Sequence, residues 1–217
     1  MKSLIAFFLF FDLQLSAQPV RHGIKLVQYI FDEFTPGTVK MKSGTISNQV
    51  LNYNILTNEM IFDNNGNFLA IADPGGVDTI EISNRKFIPL NNKFYEVLVS
   101  SKMPLLIEFT ASISEPGVSS GYGGASSTTA STSLKSLISS GGAYELKLPD
   151  GFSVIPGYSY WVMEDGKLEK AGSAKQLIKI FPGKKEMVDK LIRQLHTNFS
   201  NRAEIIELVK QIEIEHS

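Results

Sequence analysis

From Val39 to Ala111 the apolar residues never run on for the length of a helix. They fall into short stretches, each cut off by residues that favour turns. In VKMK, Val39 and Met41 alternate with Lys40 and Lys42; TISNQVLNYNIL, EMIF, NFLAIA, VDTIEI, RKFIPL, KFYEVLVS and PLLIEFTA follow. In VDTIEI, Val77, Thr79 and Glu81 fall on one face and Asp78, Ile80 and Ile82 on the other, the period of a pleated strand. The breaks include Ser43-Gly44, Thr57-Asn58, Asp63-Asn64-Asn65-Gly66 and Asp73-Pro74-Gly75-Gly76. Asn and Gly reach positive φ cheaply, which suits the tight turn of a hairpin. Connections this short exclude parallel crossovers, so about eight strands are expected to form an antiparallel meander closing into a small barrel or sandwich. The fold class is mainly β, or α+β with the tail included. Residues 24–34 (IKLVQYIFDEF) read as a lead-in strand or short helix, with a break at Pro36-Gly37.

What precedes these runs has a different character. Lys2 is followed by an uninterrupted apolar run from Leu4 to Phe11, and Ser16-Ala17-Gln18 offers small residues for a cut after Ala17. This is the pattern of a secretory signal peptide over residues 1–17. The run falls well short of the ~20 apolar residues that span a bilayer, and no later stretch is apolar enough to do so. The expected destination is the bacterial periplasm, the outer membrane or the outside, with no transmembrane anchor in the mature chain. Cysteine is absent, which removes disulfides, thiolate metal sites, thiol catalysis and a lipid-bearing terminal cysteine. Stability must come from apolar burial and backbone pairing. A net charge of -1 gives no overall attraction to nucleic acid or to anionic membrane.

The β-rich domain is expected over residues 18–111, and a Gly/Ser/Thr-rich loop or linker over 112–142. Gly, Ser and Thr fill 13 of the 17 places from Gly117 to Ser133, which leaves little apolar surface to offset the entropy of ordering. Residues 143–217 are read as a β-hairpin followed by about three short helices. Tyr158, Tyr160 and Val162 share one strand face, opposed by Trp161 and Met163, and Asp165-Gly166 marks the hairpin turn. Ser173 with Gln176, and Asn201 with Glu204, have the spacing of helix-capping pairs. Val188, Leu191, Ile192 and Leu195 recur at helical spacing, as do Ile205, Leu208, Val209 and Ile212, and these helices are expected to cover the hairpin before them.

Candidate chemistry is sparse. Gly117-Val118-Ser119-Ser120-Gly121 fits G-x-S-x-G, and the order Ser119, Asp150 (or Asp165), His196 is that of a serine hydrolase. The run sits inside the low-complexity tract, however, without the strand–turn–helix context that strains such a serine into reactivity. His22, His196 and His216 form no short-spaced pair, and no metal is implied. Asp73, Asp78 and Glu81 are better read as a solvated strand face than as a cation site. Gly121-Tyr122-Gly123-Gly124 lacks the Lys-Ser/Thr of a phosphate loop, so no cofactor is implied. Lys167 to Arg193 carries eight basic and three acidic side chains, Lys184 and Lys185 among them. Such a surface suits an anionic envelope glycan or simply solubility. Tyr158, Tyr160 and Trp161, with Phe152, offer rings for a sugar or peptide surface, although cross-strand packing is their commoner use.

FTPGTVKMKSG, LNYNILTNEMIF, VDTIEISNRKFIPL, YGGASSTTASTSL and KQLIKIFPGKKEMVDKLI together resemble exported proteins of Bacteroidota-type Gram-negative bacteria. The resemblance covers most of the chain after the leader. It implies an envelope or secreted destination and carries no activity and no site residues with it. The expected function is therefore non-enzymatic: an accessory, binding or assembly protein of the cell envelope, partnered by another envelope protein or an anionic glycan and not by nucleic acid. The alternatives are a serine hydrolase using Ser119 and a self-associating structural or adhesive subunit.

Overall fold

The computed structural model describes residues 26–114, 139–140, 143–164 and 166–216. The leader at 1–17, His22, Ser119 with the GVSSG run, Asp165 and most of the Gly/Ser/Thr-rich segment lie outside them. The early runs become β1 (Thr35–Met41), β2 (Ile46–Asn54), β3 (Glu59–Asn64), β4 (Asn67–Ala70), β5 (Val77–Ile82), β6 (Arg85–Leu90), β7 (Lys93–Val99) and β8 (Leu105–Ser114). Next come β9 (Ser139–Ser140), β10 (Ala143–Tyr144), β11 (Ser153–Glu164) and β12 (Lys167–Lys170). Three helices end the chain: α1 (Ala174–Ile180), α2 (Lys185–Gln194) and α3 (Arg202–His216).

All strands join one antiparallel sheet in the order β12-β11-β8-β7-β6-β5-β1-β2-β3-β4-β10-β9. Three hairpins turn on two residues at positive φ: Asn65-Gly66, Ser83-Asn84 and Asn91-Asn92. Both central residues of this mirror-image turn need that conformation, and its twist matches the strands it joins. Among the described strands the meander is broken three times: after β4, after β8, where β9 and β10 join the far end beside β4, and after β10, where β11 returns to β8. After β4 the chain returns through a single 3-10 turn, Pro74–Gly76, to pair β5 with the far side of β1. The expected break at Pro36-Gly37 is absent, since both residues lie inside β1. Gly37 is there because a side chain would not fit. A Cβ on it would stand 2.6 Å from the Glu81 carbonyl oxygen and 2.9 Å from Ile82.

The sheet curls without closing; its two end strands are not paired with each other. Leu51, Tyr53, Met60, Ile80, Ile82, Phe87 and Phe94 fill the middle of the concave side, with the Tyr53 ring 6.2 Å from Phe87 and 6.5 Å from Phe94. A second cluster sets Phe68 and Tyr144, near one end of the strand order, against Ile113 and Val154 from β8 and β11. The wings thus meet through side chains instead of backbone bonds.

Residues 26–34 form neither the strand nor the helix expected of them but an irregular strap with one bridge, Tyr29 to Asn54. The buried Asn52 side chain holds it, accepting from Phe31 N–H at 3.1 Å and donating to the carbonyls of Phe31 and Glu33 at 2.8 and 3.2 Å. Gln28 Nε2 ties the strap to the Leu146 carbonyl at 2.8 Å. The helices cover the other part of the concave side, packing Leu177, Phe181, Val188, Ile205, Leu208 and Ile212 onto Leu105, Ile107, Tyr160 and Val162. Both expected capping pairs form: Ser173 Oγ accepts from Gln176 N–H at 3.3 Å, and Asn201 Oδ1 accepts from Glu204 N–H at 3.5 Å while its Nδ2 donates to Glu204 Oε1 at 2.6 Å. No described helix is long and apolar enough to cross a membrane.

Because β1 and β5 meet so closely at Gly37, Gly37→Ala should cost about 2 kcal/mol, the usual penalty for overpacking. That corresponds to a loss of about 4–8 °C in Tm for a chain of this length. A thermal melt superimposable on that of the unaltered protein would contradict this register.

Candidate functional site

The second β region supplies the longest strand, β11, and it is unequally served on its two sides. On one side it pairs with β8 in unbroken register from Ser153↔Ser114 to Val162↔Leu105. On the other, β12 covers only Trp161 to Glu164, and one further bond, Ala171 N–H to the Tyr160 carbonyl at 2.9 Å, closes the ladder. Backbone groups alternate sides along a strand. Met163 N–H points to the β8 side, bonding the Pro104 carbonyl at 3.1 Å, and the Tyr160 carbonyl points to the β12 side. Val154, Pro156 and Tyr158 therefore direct their backbone groups outward, beyond the reach of β12. Among the described residues no strand pairs with that stretch. Proline, which lacks an N–H, sits where an outward donor would otherwise be, as edge strands tolerate. Ile155 is 58% exposed and Tyr158 48%, among the most exposed large apolar side chains described.

Beside this edge, where the chain leaves β12 for α1, is a cavity of about 280 Å³ lined by Tyr158, Ser159, Tyr160, Lys170, Gln176 and Ser200, among others. Tyr158 and Tyr160 meet edge to face at 5.3 Å, and the Tyr158 hydroxyl donates to the Ser200 carbonyl at 3.1 Å. Burial, together with the neighbouring Tyr158, pushes the Tyr160 phenol up to about 12, against a smaller opposing pull from Arg202. Lys170 Nζ stands 5.4 Å from the centroid of the Trp161 ring. A wider apolar hollow of about 480 Å³ runs along β1 to β4, lined by Val39, Leu51, Phe62, Leu69 and Ile71 with Ser47 and Gln49. It offers no charged side chain with which to orient a ligand.

Two buried carboxylates brace this region. Glu96 on β7, only 1% exposed, is gripped from both sides. Arg85 donates Nε and Nη2 to it at 2.9 and 2.7 Å, and Arg202, opening α3, donates at 3.2 and 2.5 Å. The Arg85 guanidinium also lies 4.9, 5.5 and 5.4 Å from the ring centroids of Phe31, Phe87 and Phe109. Glu108 on β8 accepts from Lys93 Nζ at 2.7 Å and Trp161 Nε1 at 3.0 Å. Burial, with some help from Glu108, raises the phenol of nearby Tyr95. Sequence periodicity does not find these groups. A lone acid inside KFYEVLVS and another inside PLLIEFTA are the visible signals, and nothing in the sequence names their partners.

The residues singled out from sequence are scattered. Tyr158 and Tyr160 lie together beside the edge, while Trp161 faces the other side of the sheet against Tyr95 and Glu108. Asp150 is exposed and bonded to Lys147, which holds its carboxyl below the usual range. His196 is exposed just beyond α2 with φ at 48°, and no described bond joins it to Asp150. Lys184 and Lys185 are exposed at the start of α2, with Lys185 paired to Asp189. Asp73 caps the Pro74–Gly76 turn, Asp78 pairs with Lys40 at 3.3 Å, and Glu81 is exposed on β5. Among the described residues no three His, Asp or Glu gather as metal ligands. Comparison with protein-family models, curated proteins and solved structures gives no match.

The two arginines on Glu96 should not be equal. Arg85 has 24% of its side chain exposed against 45% for Arg202, and it alone is sandwiched by rings. Arg85→Met should therefore cost about 3 kcal/mol, and Arg202→Met about 1 kcal/mol, in urea unfolding. Equal losses would show that the rings contribute nothing.

Tyrosines govern the alkaline limit. Well below pH 10 the buried phenols are protonated in both the folded and the unfolded chain, so their raised values make no difference. Between pH 10 and about 12 the unfolded chain releases protons that folded Tyr160 keeps, and stability falls as pH rises. Burial pushes Tyr29, Tyr53 and Tyr144 further in the same direction. Urea midpoints should hold steady from pH 8 to 9.5 and then drop, with tyrosinate absorbance at 295 nm appearing in step with unfolding. Full tyrosinate absorbance in a still-folded protein would contradict this.

Proposed function

We propose that this is an exported, non-enzymatic protein of the bacterial cell envelope that takes an extended segment of a partner protein as an added strand along β11. The observation that carries the reading is the outward backbone of Val154, Pro156 and Tyr158, without a partner among the described residues and bordered by a cavity. Strand addition needs this combination: main-chain groups supply affinity, and pockets for alternate side chains supply selectivity. Exposed Ile155 and Tyr158 offer apolar contact on the two faces of such a strand. The cavity lining includes Lys170 and no carboxylate, which complements an acidic segment.

Pro156 bears on the self-associating alternative. Two copies pairing about a two-fold axis at that residue would set two missing donors opposite each other, so a foreign strand fits this edge better than a second copy. Export is supported by the leader pattern over residues 1–17. N-terminal sequencing of protein recovered from fractionated cells should begin at Gln18 in the envelope or medium. Recovery from the cytosol with Met1 attached would overturn the destination.

The edge itself is tested by a pair of prolines. Tyr158→Pro removes an outward N–H and leaves the β8 ladder intact, whereas Ser159→Pro removes a ladder bond. The first should fold, with a Tm within several degrees of the unaltered protein, and lose photo-crosslinking through position 155 to envelope protein. The second should be destabilised by about 3 kcal/mol or more. Undiminished crosslinking in Tyr158→Pro would refute strand addition, as would binding confined to anionic glycan.

A further inference from the structure

Resting on β11 as the acceptor, we infer that the partner presents a free carboxyl terminus, its last residues running parallel to β11 with the terminal carboxylate in the cavity beside Lys170. The path of the chain shows where an added strand has to stop. β12 occupies the edge opposite Trp161 to Glu164. Past Lys170 the chain leaves the sheet through Ala171 and Gly172 to Ser173, the cap of α1. A strand laid along Val154 to Tyr158 therefore meets Gly172, Gln176, Phe199 and Ser200 at its Tyr158 end. One terminus of that strand belongs in the cavity.

Charge chooses which terminus. A segment antiparallel to β11 would bring its amino end there, and a parallel one its carboxyl end. The lining residues include Lys170, Gln176, Ser159 and Ser200, and none of them is acidic. The Lys170 ammonium stands 5.4 Å from the Trp161 ring, on the sheet face opposite Tyr158 and Tyr160, and so borders the cavity from that face. An α-ammonium in this setting meets like charge, whereas a carboxylate gains charge-assisted donors. At about 280 Å³ the space suits one terminal residue better than a larger ligand.

The test uses two fully randomised hexapeptide libraries, identical except that one ends in a free acid and the other in an amide. Each is offered to the mature protein and to its Lys170→Gln variant. The expected result is at least tenfold greater retention of the acid library by the unaltered protein, with that preference lost in Lys170→Gln. The amides of Val154 and Tyr158 should gain hydrogen-exchange protection when an enriched acid peptide binds. Equal retention of both libraries, with that protection, would overturn the carboxylate inference and leave strand addition standing. Retention of neither would overturn both. Should Lys170→Gln fold poorly, the acid-against-amide comparison on the unaltered protein decides the matter alone.

Discussion

A sheet of this width, curled but never joined edge to edge, has a concave side that water must be kept from by other means. Full closure would have satisfied the end strands and walled in the core together. Here the same task is divided among three covers: the strap at residues 26–34, the wing-to-wing contact of Phe68 and Tyr144 with Ile113 and Val154, and the helical layer over β8 and β11. Two of these covers have a buried polar anchor. Asn52 receives the strap, and Glu96 receives the helices through Arg202. These anchors are buried polar groups that need complete partnering to be tolerated, so they fix where those two covers sit as well as how firmly.

Much of this could be read in the chain before folding, because local chemistry decided it. Asn65-Gly66 had to be a hairpin, and Asn201 with Glu204 had to begin a helix, whatever surrounded them. Strand existence and helix phase followed from alternation and from the spacing of Val188, Leu191, Ile205 and Leu208. What stayed hidden was decided by distant partners. Pro36-Gly37 has the composition of a turn, yet Gly37 serves as the point where two neighbouring strands crowd β1. The strap is rich in strand formers, but its backbone is claimed by a side chain, Asn52, that no pattern announces. Nothing local shows that β5 pairs with β1 and not β4, because the choice rests on packing in the finished curl. The candidate edge was legible only in outline. Length and turns indicate a hairpin at β11, while its unequal flanks depend on how soon β12 ends.

The rest of the surface explains why β11 stands out. The opposite flank of the hairpin, β12, is four residues long and reads Lys-Leu-Glu-Lys, and short charged strands discourage unwanted pairing. Pro156 and Gly157 blunt β11 without sealing it. The basic face of α1 and α2 adds a diffuse positive field, and Lys184 and Lys185 belong to that field more than to any built site. Glu96, joined to Arg202, and Glu108, joined to Trp161, fix the elements on either face of the sheet near the cavity, and neither is among its lining residues.

Among the described residues, the longest-range side-chain bonds are those that fasten its covers. Gln28 waits for Leu146, Glu213 accepts from Met103 N–H, and Arg202 reaches back to Glu96, separations of 118, 110 and 106 residues. Contacts so remote in sequence cost more chain entropy to close than the hairpins do, so the covers are expected to settle after the strands they cover.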